Sequence, residues 1–235
     1  MSSKLKGKLR KLYHQLLRTK VICLSGVSLD ARHPGISRMV RNQLYRGTYE
    51  MSESLLVRKY LQYSDRVVEA GCGIGFIGCL CAQIIGSESV YSYEANPALE
   101  SVIRANYNLN QVNPSLKMHA VTRDGADVDL HVADNQISTS AILRDNVKTS
   151  HLAVKSSSLC GILIEIKPSV VVMDVEGLEV DLLASPLDLG GVRMIIVETH
   201  PHIVGTSKIE AMNDFLRISG FRIADCSGKV VVYVR

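Results

Sequence analysis

The sequence predicts a doubly wound α/β fold: a mostly parallel seven-stranded sheet with helices on both faces, ending in a C-terminal antiparallel hairpin. Three observations predict it. Unbroken apolar runs such as Val170-Val171-Val172-Met173 and Met194-Ile195-Ile196-Val197 mark strands covered on both faces. These runs alternate with segments of helical periodicity, the βαβ pattern of a parallel sheet. The last two apolar runs are separated instead by Ser227-Gly228, a tight-turn signal that makes their pairing antiparallel.

The elements follow in order. Residues 1–20 hold Lys4, Lys6, Lys8, Arg10, Lys11, Arg18 and Lys20 and no acid, so this arm carries +7 of a chain whose net charge is +4. The rest is therefore mildly acidic. Leu5, Leu9, Leu12 and Leu16 recur at helical spacing, which predicts an amphipathic helix. Two readings of it stay open: a helix that packs its leucines on the domain edge, or one that touches anionic lipid or nucleic acid. A short hairpin is expected around Gly26, then helices over 36–46 and 52–62, with Ser52 and Glu53 as the start signal of the second. Strand 66–70 leads to helix 75–86 and strand 89–94 to helix 97–109; strand 116–121 comes next. Residues 127–157 alternate irregularly and read as short strands and loops. Helix 158–165, strand 170–174, helix 177–183, strand 194–198 and helix 207–219 precede the closing strands 221–226 and 230–234. The expected organisation is a basic arm (1–20), a hairpin and helices packing on the core (21–64), and a principal domain (65–235).

Composition narrows the class. A chain of 235 residues with 46% hydrophobic content suits one well-buried domain. Its longest apolar stretch, 73–86, falls short of the roughly 20 residues a bilayer requires. The basic N-terminus lacks the apolar segment and cleavage site of a signal peptide. Cysteines at 23, 72, 79, 81, 160 and 226 show neither CxxC pairs nor histidines at zinc spacing, so they read as reduced thiols of a cytoplasmic protein. Aromatic content is 5% and Trp is absent, which argues against the alternative the arm leaves open, an RNA-modifying methyltransferase or a nucleic-acid-binding protein.

The chemistry concentrates at Glu69-Ala70-Gly71-Cys72-Gly73-Ile74-Gly75, answered by Tyr93-Glu94 about twenty residues on. Glycines let backbone approach a ligand closely, and a carboxylate ending the next strand accepts hydrogen bonds from both hydroxyls of a ribose. Gly73-Ile74-Gly75-Phe76-Ile77-Gly78 also meets the G-x-G-x-x-G spacing of NAD-binding proteins. Two features favour S-adenosylmethionine over NAD. Glu69 is placed to reach a ligand's amino group and would repel a pyrophosphate. The terminal antiparallel hairpin belongs to the methyltransferase variant of the doubly wound sheet.

In such sheets ligands bind beyond the carboxyl ends of the strands, where strand order reverses. The strand ends supply Glu69, Gly71 and Glu94, then Asp174, Val175 and Glu176, then Glu198, Thr199 and His200. So many buried acids are costly without partners. Glu176 has an alternative use as a helix cap, and His202 reads as a surface residue.

Here the chain resembles the FkbM-type S-adenosylmethionine-dependent methyltransferases, from about Gly47 to Asp225. The resemblance rests on Gly47-Thr48-Tyr49-Glu50, the glycine loop, Glu94-Ala95-Asn96-Pro97 and Asn106-Tyr107-Asn108-Leu109-Asn110. Asp174-Val175-Glu176-Gly177-Leu178-Glu179 and Glu198-Thr199-His200-Pro201 complete it. It implies a class I methyltransferase (Rossmann-like) fold, with 65–235 as the catalytic domain, and O-methylation of a hydroxyl on a sugar, polyketide or similar small molecule. The cofactor contacts expected are Glu69, Gly71, Cys72, Gly73, Gly75, Glu94, Ala95 and Asp174. The loop departs from the family's usual Gly-Ala-Asn-x-Gly, and Ala95 stands where a proline is usual, so neither helps to name the acceptor.

Methyl transfer to an alcohol needs a base for the hydroxyl proton. His200 is the candidate, oriented by Glu198, with Asp174 next. Alternatively, a divalent ion such as Mg²⁺ or Mn²⁺ held by Asp174, Glu176, Glu198 and His200 would acidify the hydroxyl, although nothing in the spacing requires a metal.

Overall fold

Seven strands form one sheet. They are β1 (Val67–Ala70), β2 (Val90–Tyr93), β3 (Ser115–Lys117), β4 (Val170–Met173), β5 (Met194–Glu198), β6 (Arg222–Ser227) and β7 (Val230–Val234). Their spatial order is β6-β7-β5-β4-β1-β2-β3. Pairings from β3 across to β5 are parallel, and β7 runs antiparallel to both of its neighbours. A simple dinucleotide-binding sheet places its sixth strand directly beside the fifth; here β7 is inserted between them. The computed structural model describes residues 3–133, 139–140, 149–183 and 187–235.

Helices cover both faces. The first is α1 (Ser3–Leu16), followed by α2 (Arg38–Arg46), α3 (Met51–Tyr60), α4 (Phe76–Ile85) and α5 (Glu100–Leu109). Beyond them lie α6 (Leu159–Ile166), α7 (Glu179–Leu183), α8 (Pro201–Val204) and α9 (Thr206–Ile218). One core packs α2 to α5 and the hairpin Val21–Leu24/Val27–Asp30 against the face bearing Val67, Val90 and Val170. The other packs α6, α7 and α9 against Val68, Val171 and Ile195. Successive strand residues thus serve opposite cores, as the pleat requires. No helix among the described residues is long and apolar enough to cross a membrane.

Three departures from the sequence reading have physical reasons. The strand expected over 116–121 divides: β3 joins the main sheet, while Ala120–Thr122 pairs with Ser156–Ser158. The break falls at Met118 and His119, where the His119 ring bonds the Ser157 hydroxyl at 3.0 Å. Within 127–157, Val128–Ala133 and Thr149–Val154 make an antiparallel ladder with a short Thr139–Ser140 partner; 134–138 and 141–148 lie outside the described residues. Helix α1 turns its leucines away from the domain. Leu9 is 49% and Leu16 75% exposed, whereas His14 lies beside Tyr45 of α2 with ring centroids 5.7 Å apart.

Candidate functional site

Strand order reverses between β1 and β4, so their carboxyl ends open the crevice. Gly71 leaves β1 at φ +82°, and a Cβ built on it would lie 1.8 Å from the carbonyl oxygen of Asp174. No side chain fits between these crossing backbones. Gly73, at φ +54°, would set a Cβ 2.9 Å from the Tyr49 hydroxyl. Glu94, at the end of β2, is 5% exposed. Its carboxylate accepts the Gly73 N–H and the Asn96 N–H, each at 2.8 Å. A carboxylate has about four acceptor positions, and with the Ala95 N–H also bonding this one, acceptor capacity is still left for a ligand.

A cleft of about 440 Å³ opens over these strand ends. Gly71, Gly73, Glu94 and Ala95 form one wall, with Leu99, Ala120 and Val121 supplying an apolar patch. The opposite wall is acidic: Glu50, Glu53, Asp174, Glu176 and Glu198 line it, with Lys229 near the rim. Burial, then repulsion from Glu198 and Glu176, pushes the Asp174 carboxyl up to about 7. Burial and a hydrogen bond shared with Glu198 push Glu53 up to about 8. Burial raises Glu94 to about 7, against the pull of its backbone N–H bonds.

His200 stands behind this wall, its side chain 5% exposed. Glu179 Oε1 accepts the His200 backbone N–H at 2.8 Å and contacts ring Nδ1 at 3.3 Å. A carboxylate with that contact accepts, so Nδ1 carries the proton and Nε2 faces the acids. Nε2 lies 3.7 Å from Asp174 Oδ1, 3.9 Å from Glu176 Oε2 and 3.8 Å from Glu198 Oε1. Burial opposes the imidazolium, but Glu179 and Asp174 outweigh it and raise the His200 pKa.

A family model, the methyltransferase FkbM domain, matches residues 77–223. The chain belongs to the FkbM methyltransferase family. It is an S-adenosylmethionine-dependent methyltransferase. Its fold is similar to that of a methyltransferase from Pyrococcus furiosus, at 13% identity over 97% of this chain and 96% of that one, with a TM-score of 0.50. P. horikoshii TYW2 in complex with MeSAdo matches at 13% identity over 97% and 81% of the two chains, with a TM-score of 0.48. No curated protein matches the sequence.

The FkbM fold brings most of the expected residues together. Gly71, Gly73, Glu94, Ala95, Asp174, Glu176 and Glu198 all line the cleft. Glu69 does not. The pleat points it with Val67 toward α4, where it is 2% exposed, accepts the Ser92 hydroxyl and lies against Gly78. It cannot reach a ligand amino group from there. Cys72 is 1% exposed and faces the core. Gly75 caps α4, and its missing side chain makes room for Tyr107 and Ile103 rather than for a ligand. His200 touches the cleft acids without lining the cleft, and the residue that orients it is Glu179 rather than Glu198. His202 is exposed, as expected.

Two contributors escaped the sequence reading. Glu53, whose sequence context suggests only a helix start, is 7% exposed and reaches Glu198. The available signal was periodicity: Glu53 shares the buried face of α3 with Leu56 and Val57. Glu179 lies in the quoted Asp-Val-Glu-Gly-x-Glu block, yet its contact with His200 depends on tertiary folding.

The raised acids give the FkbM protein a pH dependence of definite sign. Asp174, Glu53, Glu69 and Glu94 hold protons in the native state that the unfolded chain releases near 3.8–4.5, and His200, also raised, acts in the same direction. Stability therefore falls as pH rises from about 5 to about 8. Glu179 and Asp65, both lowered, act below that window. Calorimetric melting of the ligand-free protein across this range should show a steadily falling transition temperature; a rising one would contradict the buried acidic wall.

Proposed function

We propose that this protein transfers the S-adenosylmethionine methyl group to a hydroxyl oxygen of a sugar, polyketide or similar small molecule. The observation that carries the reading is the two-walled cleft, with a ribose-competent carboxylate and open glycine backbone opposite a cluster of raised acids. The residues suit the cofactor. Glu94 retains acceptor positions for ribose hydroxyls, Gly71 and Gly73 present backbone at the cleft, and Leu99, Ala120 and Val121 offer an apolar seat for a base. As its carboxyls ionise, the acidic wall suits a ligand bearing a sulfonium and an ammonium.

When bound, the cofactor supplies an electrophilic methyl group. The chain's own part is to hold the acceptor oxygen in line and to take its proton. Asp174, with a pKa near neutrality and its side chain 33% exposed at the cleft, is the group that accepts that proton. His200 positions Asp174 and balances its charge once ionised, a revision of the base expected from sequence.

A polyanionic acceptor fits less well, because phosphates would meet the carboxyl groups of Glu176 and Glu198 that line the cleft. The test compares thermal shifts with S-adenosylmethionine, its demethylated product and NAD, then follows labelled methyl into hydroxylated acceptors and RNA. Stabilisation by the first two ligands and label in an ether product support the reading. Label in RNA bases, with binding that weakens steeply as salt rises, would replace it.

A further inference from the structure

We propose that Asp174, Glu198 and His200 form a divalent-cation site at the acceptor side of the cleft. The inference deepens the proposed reaction and rests on it for the acceptor's position. One donor atom from each residue lies within 4.8 Å of the others. Three features distinguish the group from an ordinary acidic patch. The His200 ring is almost wholly buried, and Glu179 fixes it through Nδ1, the carboxylate–histidine arrangement that orients a metal-bound imidazole. Glu179 is itself fixed, being fully buried and also accepting the Gly177 N–H at 2.8 Å. Asp174 Oδ1 is buried, has no hydrogen-bond partner among the described residues, and faces Nε2.

Whenever Nε2 gives up its proton, its lone pair faces three carboxylate oxygens. That arrangement repels unless a proton or a cation sits between them. Cations with bond lengths of about 2.1 Å place neighbouring donors about 3 Å apart. Through carboxylate rotation, Nε2, 3.7 Å from Asp174 and 3.8 Å from Glu198, therefore closes by less than about 1 Å, and no donor pair within the 4.8 Å bound closes by more than about 2 Å. One imidazole with carboxylate oxygens suits Mn²⁺ foremost, and Mg²⁺ next. Glu176 is close enough to add a further oxygen or to hold a bound water. The cation would lower the pKa of an acceptor hydroxyl bound beside Asp174.

The test uses Mn²⁺ alone, without cofactor or acceptor. The paramagnetic resonance signal of aqueous Mn²⁺ should fall on adding the protein, and binding should tighten as pH rises because the cation displaces protons. Asp174→Asn and Glu198→Gln should each abolish binding. Glu179→Gln should weaken it by about 10–100-fold. Glu210→Gln, on exposed α9, should leave it unchanged, and circular dichroism checks the fold of each variant. Undiminished aqueous signal with the wild-type protein, or unchanged binding in Glu198→Gln, overturns the site. Because no methylation is measured, a failure here is distinct from a failure of the proposed reaction.

A separate observation carries a second proposal. Helix α1 shows Leu9, Leu12, Tyr13 and Leu16 to the outside, with the exposed Lys6 and Lys8 on either flank of the stripe. An apolar face with basic flanks matches the surface of an anionic bilayer in both polarity and charge, and we infer that α1 rests on one. Sedimentation with phosphatidylserine-containing vesicles should carry the protein down, whereas pure phosphatidylcholine should not. Leu9→Glu/Leu12→Glu should release it without changing S-adenosylmethionine binding. Equal sedimentation of this variant, or a dimer in the wild type that the variant abolishes, overturns the proposal.

Discussion

Gly71→Ala is expected to yield a destabilised protein with no measurable affinity for S-adenosylmethionine. The added Cβ would sit 1.8 Å from a backbone carbonyl oxygen, and backbone cannot rotate aside as a side chain can. The left-handed φ of +82° adds about 1–2 kcal/mol of strain. Separating the ends of β1 and β4 enough to admit a methyl group should bring the total to about 3 kcal/mol or more. For a chain of this size that lowers the melting temperature by roughly 6–12 °C. Gly191→Ala is the control, since its Cβ would meet nothing within 4 Å. Thermal melting and titration calorimetry decide the matter; a Gly71→Ala protein melting with wild type would mean the two strand ends do not touch.

The second large effect is a contrast between two substitutions. Glu94→Ala removes the acceptor of two backbone N–H groups together with the ribose-facing oxygens. Loss of charge-assisted bonds of that kind costs about 3 kcal/mol, roughly a hundredfold in Kd for S-adenosylmethionine. His200→Ala, behind the opposite wall, should leave that Kd within about twofold and lower turnover by about 10²-fold. Calorimetry with the cofactor and a steady-state assay separate the two. Normal turnover in His200→Ala would remove it from the mechanism, and reversed behaviour of the pair would undo the assignment of the two walls.

How legible this was depended on whether the signal lay within one element. The sheet could be read because buried strands and the Ser227-Gly228 turn are local features, and the observed strands begin within about two residues of expectation. The strand-end rule placed Glu94, Asp174 and Glu198 in the cleft for the same reason. It failed for Glu69, one residue inside β1, because the rule says where a strand ends and not which way the pleat turns its last side chains. The contact of Glu179 with His200 spans 21 residues, and Glu53 meets Glu198 across most of the chain. Neither pairing leaves a local trace. The outward leucines of α1 show the converse: their spacing announced an apolar face without saying what it would meet.

The cleft draws on residues as far apart in sequence as Met39 and Val230. During synthesis, a nascent chain that has emerged only as far as the glycine bend owns half of a pocket. The cofactor therefore cannot template early folding; it can reward only a chain whose β6–β7 hairpin is already docked. Any lesion that delays docking of the last hairpin should first be visible as lost ligand protection, before helix content changes.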